Sequence, residues 1–184
     1  MIKKFELFNE SLLDKLKGPT EEELLNHLKT LDDSDRIVFI LKTKLDWKYL
    51  PEKLIIKSRF CCVFDDLTSL PDNLTIMGYL DCSGCKLTKL PNNLTVYGYL
   101  KCDHNKLTSL PENLFVNGDL DCSSNKITKL PDNLTVNGHL SCNSNKLRKL
   151  PENLVVKRNL YCGDNLNKLE IPSSAKIDGK ILYD

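Results

Sequence analysis

Two ladders with a single period run through the sequence. Pro51, Pro71, Pro91, Pro111, Pro131 and Pro151 recur every twenty residues, and so do Cys62, Cys82, Cys102, Cys122, Cys142 and Cys162. A fixed period of this length is the mark of one small unit stacked many times, so it decides the fold before any local reading does. The unit is cleanest at 107–126, LTSLPENLFVNGDLDCSSNK, and at 127–146, ITKLPDNLTVNGHLSCNSNK. Its pattern is L-x-x-L-P-x-x-L-x-V-x-G-x-L-x-C-x-x-N-x.

Each position of the pattern has a physical reason. In Gly118-Asp119-Leu120-Asp121-Cys122 apolar residues alternate with polar ones, the period of a short strand that turns Leu120 and Cys122 inward. Three residues after the cysteine comes Asn105, Asn125, Asn145 or Asn165, whose amide can donate to and accept from the backbone where the chain leaves the strand. The Leu-Pro step fixes φ and removes a donor, so the return path is expected to be extended or turn-like rather than helical. Gly78, Gly98, Gly118 and Gly138 stand just before the strand, at an expected tight bend. About seven strands follow from the repeat count, with Ile171-Pro172 opening a final partial unit.

The stretch Leu100-Lys101-Cys102-Asp103-His104-Asn105-Lys106-Leu107 resembles the leucine-rich repeat signature, with Cys at a position usually held by an aliphatic. A twenty-residue unit carrying Leu-Pro is similar to the shortest bacterial subclass, found in secreted effectors, and to repeat proteins of tailed phages. The resemblance spans residues 47–184. It implies a repeat solenoid, a leucine-rich repeat with a parallel β-sheet on the concave face and a mostly non-helical convex side. A solenoid end needs a cap, and residues 1–46 read as a small α-helical N-terminal one. Phe5, Phe8, Leu12 and Leu16 share a helical face, Thr20-Glu21-Glu22-Glu23 is a capping box, and Ser34 can cap a third segment.

Composition narrows the function classes. Twenty-six Lys and Arg against 25 Asp and Glu give a formal charge of +1, so no nucleic-acid partner is expected. No apolar run reaches membrane-spanning length, so no membrane association is expected either. Met1-Ile2-Lys3-Lys4-Phe5-Glu6 lacks the apolar core of a signal peptide, which points to a cytoplasmic protein, bacterial or in an infected host cell, with reduced thiols. Eight cysteines could form disulfides or hold zinc, but six are one inward position repeated. Cys82-Ser83-Gly84-Cys85 is a lone C-x-x-C in which Cys85 replaces the repeat's Asn, so neither a metal nor a cofactor is expected. Cys61 is the thiol expected to face outward.

Three histidines give catalysis little to stand on, and no enzymatic activity is expected. Asp81, Asp119 and Asp121 could approach one another on the open face, but exposed carboxylates of a sheet are ordinarily solvated. The enzymes among the effectors of this repeat class resemble ubiquitin ligases through a large further domain, and that activity is not carried over. The informative columns are those that vary while the core repeats. One is Arg59, Tyr79, Tyr99, Asp119, His139 and Asn159; the next is Cys61, Asp81, Lys101, Asp121, Ser141 and Tyr161. The expected binding residues are Arg59, Tyr79, Asp81, Tyr99, Lys101, Asp119, Asp121, His139 and Tyr161, with Tyr79 and Tyr99 stacked on successive coils. The expectation is a non-enzymatic module that binds a protein partner. The alternative is a virion-associated or structural phage protein, because residues 3–11 resemble short N-terminal attachment segments of tailed-phage proteins.

Overall fold

A computed structural model describes residues 22, 26, 29, 30, 32, 52–62, 67–166 and 169–183. The chain divides into two units, Met1–Pro51 and Glu52–Asp184. The helical cap expected over 1–46 and the attachment segment at 3–11 lie almost wholly outside the described residues, of which Glu22 and Asn26 are helical.

The second unit is a parallel-strand β-solenoid in which every coil contributes two short strands. The first three coils hold β1 (Leu54–Ile56) and β2 (Phe60–Cys61), β3 (Leu74–Ile76) and β4 (Leu80–Asp81), β5 (Thr95–Val96) and β6 (Leu100–Lys101). Then come β7 (Phe115–Val116) and β8 (Leu120–Asp121), β9 (Thr135–Val136) and β10 (Leu140–Ser141), β11 (Val155–Val156) and β12 (Leu160–Tyr161). The last pair is β13 (Lys176–Ile177) and β14 (Ile181–Leu182). Odd strands form one seven-stranded sheet and even strands another. The single sheet expected from the sequence is therefore joined by a second one, built where the return path was expected to be merely extended.

Register is set by the core. Leu80 pairs with Leu100, Leu100 with Leu120, and Val116 with Val136, so like residue stacks on like from coil to coil. Between the sheets each full coil buries the same set, as in Leu87, Leu90, Leu94, Val96, Leu100 and Cys102. Burying each large aliphatic is worth roughly 1.5–3 kcal/mol, and a one-residue slip would turn the whole set outward.

The asparagine ladder ties one coil to the next. Asn105 Nδ2 donates to the carbonyls of Cys82 (2.8 Å), Cys102 (3.2 Å) and Asp103 (3.1 Å), and its Oδ1 accepts the N–H of Leu87 at 3.0 Å. Asn125, Asn145 and Asn165 repeat the pattern. The residue before each one is left-handed, with φ of 52° at His104, 51° at Ser124, 52° at Ser144 and 48° at Asp164, and Gly84 before Cys85 has a φ of 66°. In Cys85, which takes the Asn position, the thiol reaches the Cys62 carbonyl at 3.6 Å.

Gly78, Gly98, Gly118 and Gly138 sit at the expected bends before the even strands, and stacking adds a second requirement there. Gly84 is the one glycine with positive φ among the described residues. Gly98 and Gly118 are required by close approach, since a Cβ there would lie 2.7 and 2.8 Å from backbone atoms of the preceding coil. Their N–H groups bond that same coil, Gly98 to Gly78 at 2.8 Å and Gly118 to Gly98 at 2.9 Å. Gly118→Ala is therefore expected to lower stability by about 2–4 kcal/mol in urea unfolding, because two coils must part. Gly84→Asn meets open space in a conformation Asn tolerates, and its expected change is within about 1 kcal/mol. Equal losses in the two variants would contradict this account.

Candidate binding face

The sheet of even strands turns two columns of side chains outward, and the sequence-derived site residues all fall on them. One column runs Cys61, Asp81, Lys101, Asp121, Ser141, Tyr161 in strand register. The other precedes it by two residues. Both stand outward because their neighbours, such as Leu100 and Cys102, are locked into the core.

The first half of the preceding column is aromatic. The rings of Tyr79 and Tyr99 stack with centroids 4.4 Å apart and planes 10° from parallel, as the sequence led one to expect. Arg59 lies over Tyr79 at 5.8 Å from the ring centroid. Partial desolvation, and then the neighbouring Tyr79, push the Tyr99 hydroxyl above its ordinary range.

Its second half is a polar stair. Asp119 Oδ1 accepts the N–H of His139 at 2.7 Å, His139 Nδ1 accepts the N–H of Asn159 at 3.1 Å, and Asn159 Oδ1 accepts the N–H of Lys180 at 3.0 Å. The bond to Nδ1 leaves the ring proton of a neutral His139 on Nε2. Beyond it the His139 and Tyr161 rings meet at 5.9 Å and 56°.

Tyr99, Lys101, Asp119, Asp121, His139 and Tyr161 line one open depression of about 430 Å³, together with Ser141 and the core edges of Leu100 and Leu120. Arg59, Tyr79 and Asp81 lie outside it, one or two coils away in the same columns. Ser141 belongs to the column read from the sequence, although it was not among the expected binding residues.

The three aspartates do not form one cluster. Lys101 stands in register between Asp81 and Asp121. Each of those carboxylates is also tied to a serine two residues on. Ser83 donates its N–H (3.1 Å) and hydroxyl (2.6 Å) to Asp81 Oδ1, and Ser123 does the same to Asp121 at 3.0 and 2.6 Å. No group of three or more His, Cys, Asp or Glu side chains suited to a metal ion occurs among the described residues.

The inward cysteines are free thiols. Cys82 donates its S–H to the Lys101 carbonyl at 3.3 Å and Cys122 to that of Ser141 at 3.4 Å. Burial pushes the thiols of Cys62, Cys82, Cys102, Cys122 and Cys142 far up, which removes the thiolate that nucleophilic chemistry requires. Cys61 is half-buried, with its Sγ 3.9 Å from the Tyr79 hydroxyl.

One surface escaped the sequence reading. On the outer face of the odd-stranded sheet Ile55, Met77, Tyr97 and Phe115 are 44–49% exposed, and Tyr97 and Phe115 meet edge to face at 5.8 Å. The signal was the apolar residue at a variable position in Leu114-Phe115-Val116 and Ile76-Met77, but without the second sheet it had no face to belong to. No helix among the described residues is long and apolar enough to cross a membrane. No protein-family model matches the chain, and neither a curated protein nor a solved structure matches it.

Proposed function

We propose that the solenoid is a leucine-rich-repeat module that binds a protein partner on the outer face of the even-stranded sheet, as its concave face, and performs no chemistry of its own. The observation that carries this reading is the contrast between columns. Core positions repeat coil after coil, while the outward positions change from aromatic to acidic to imidazole and converge on one depression. A rigid scaffold with a variable face suits recognition, and tyrosines supply large contact area with little rotamer freedom to lose. The thiols are buried and protonated, and Asp81 and Asp121 are already engaged by serine, which favours binding over turnover. A cytoplasmic protein, encoded by a bacterium or a phage and acting on a host protein, is the setting in which this reading makes most sense.

The test is recovery of partner from the native cell by the wild-type chain and by a Tyr79→Ala/Tyr99→Ala double variant. The variant removes an outward stack and leaves the core columns untouched, so its circular dichroism is expected to match the wild type. Its affinity for the partner is expected to fall tenfold or more, the scale of a central aromatic anchor. Equal recovery by both proteins would sink this face as the site.

A further inference from the structure

The aromatic column ends on an open ring. One face of Tyr79 is covered by the Arg59 guanidinium and the other by Tyr99, so the stack is closed at that end. Tyr99 has its second face turned away from Tyr79, toward the coil of Asp119, where it walls the depression. The tilted His139 and Tyr161 pair walls the other side. Two carboxylates lie between these walls, and each is half used. Asp119 spends Oδ1 on the His139 N–H and Asp121 spends Oδ1 on Ser123, while neither Oδ2 accepts a hydrogen bond among the described residues. Lys101 is the one cation lining the depression, and it also faces Asp81 across the neighbouring strand.

We infer that this depression takes the guanidinium of an arginine on the protein partner, laid against the free face of Tyr99 with its N–H groups on Asp119 Oδ2 and Asp121 Oδ2. The inference rests on the binding face proposed above and names the chemistry that reading leaves open. Charge and shape both favour it. An anion would meet two carboxylates against one ammonium, and an apolar side chain would strip water from the carboxylates without replacing it. A planar guanidinium stacks on a ring, offers several donors in one plane and is more weakly hydrated than an ammonium. The same column already shows this pairing at its other end, where Arg59 covers Tyr79.

Two measurements on the full chain decide it. The first is an NMR titration with N-acetylarginine methylamide and with its neutral isostere, N-acetylcitrulline methylamide. The arginine probe is expected to shift the amides of Tyr99, Asp119, Asp121, His139 and Tyr161 and to saturate at a Kd on the order of 1–10 mM. The citrulline probe is expected to bind at least tenfold more weakly. Asp119→Asn/Asp121→Asn keeps an Oδ1 acceptor for His139 and Ser123, so it retains the fold and is expected to abolish the response. Absent shifts, or equal binding of the two probes, overturn the inference. The second is selection of random displayed peptides on the wild type, with counter-selection on Tyr79→Ala/Tyr99→Ala. Peptides that need the tyrosines and are enriched in arginine support it. Peptides that need them without arginine enrichment overturn the inference and leave the face standing. Peptides indifferent to the double variant remove the face as well.

Discussion

Raising the pH from 8 to 11 is expected to unfold the solenoid along an unusually steep slope set by its thiol ladder. Burial holds Cys62, Cys82, Cys102, Cys122 and Cys142 protonated far above the ordinary thiol value near 9.0, with neighbouring thiols and aspartates adding to the effect. In the unfolded chain the same thiols ionise near that ordinary value. Above it the unfolded state has released protons that the folded state retains, so stability is complete below pH 9 and falls as pH rises beyond it. With five thiols fully ionised in the unfolded chain, the slope is about 7 kcal/mol per pH unit. Domains of this size have roughly 5–15 kcal/mol in hand, so one to two pH units suffice to unfold it. Urea midpoints followed by circular dichroism at pH 8, 9, 10 and 11 measure the slope. Cys82→Val/Cys102→Val/Cys122→Val keeps an apolar side chain of similar size and is expected to remove about 4 kcal/mol per pH unit of it. A profile equally steep in the triple variant would mean that tyrosine and lysine, not the thiols, govern alkaline unfolding.

The contrast between the two sheets shows where sequence reasoning reached and where it stopped. Leu120 and Cys122 were legible as inward residues because their alternation is flanked by polar Asp119, Asp121 and Ser123. Leu134-Thr135-Val136 alternates as well, but it is short and follows the Pro131-Asp132-Asn133 turn, so within one repeat nothing marks it as a strand. It becomes one by pairing with residues twenty positions away, Val136 with Val116 and Val156. The glycine column was legible only in part, for a related reason. The bend before the strand was visible at Gly98 and Gly118, but their close contact with the preceding coil is a property of stacking, not of local backbone shape. On the outer face of the even-stranded sheet the columns were legible down to the Tyr79–Tyr99 stack. The stair from Asp119 through His139 to Asn159 was not, because it depends on side-chain rotamers that place an acceptor under the next coil's N–H.

Asn145→Ala is expected to lower stability by about 3 kcal/mol, whereas Asn113→Ala is expected to change it by less than about 1 kcal/mol, though both residues are repeat asparagines. Asn145 is 7% exposed and makes four hydrogen bonds inside the coil stack. Its loss strands the N–H of Ile127 in the core, while the carbonyls of Cys122, Cys142 and Asn143 each lose one donor and keep another, Asn125 Nδ2 at 3.2 Å, Asn165 Nδ2 at 3.0 Å and the Ser124 N–H at 3.0 Å. One buried N–H left unpaired costs roughly 1–3 kcal/mol, and each bond lost from a carbonyl that keeps another donor adds less. Asn113 is exposed, and its Nδ2 reaches Asn93 Oδ1 at a long 3.3 Å, so water replaces that bond at little cost. Asn145→Asp separates the two halves of the amide. Its carboxylate can still accept from Ile127 but has no donor for the carbonyls. At pH 7 it is expected to be less stable than the alanine variant, and to recover below pH 4, where a protonated carboxyl regains one donor. Urea unfolding of the three variants at both pH values distinguishes a ladder built on donated hydrogen bonds from one held by shape. If Asn145→Ala and Asn113→Ala lose the same stability, the ladder is not what joins the coils.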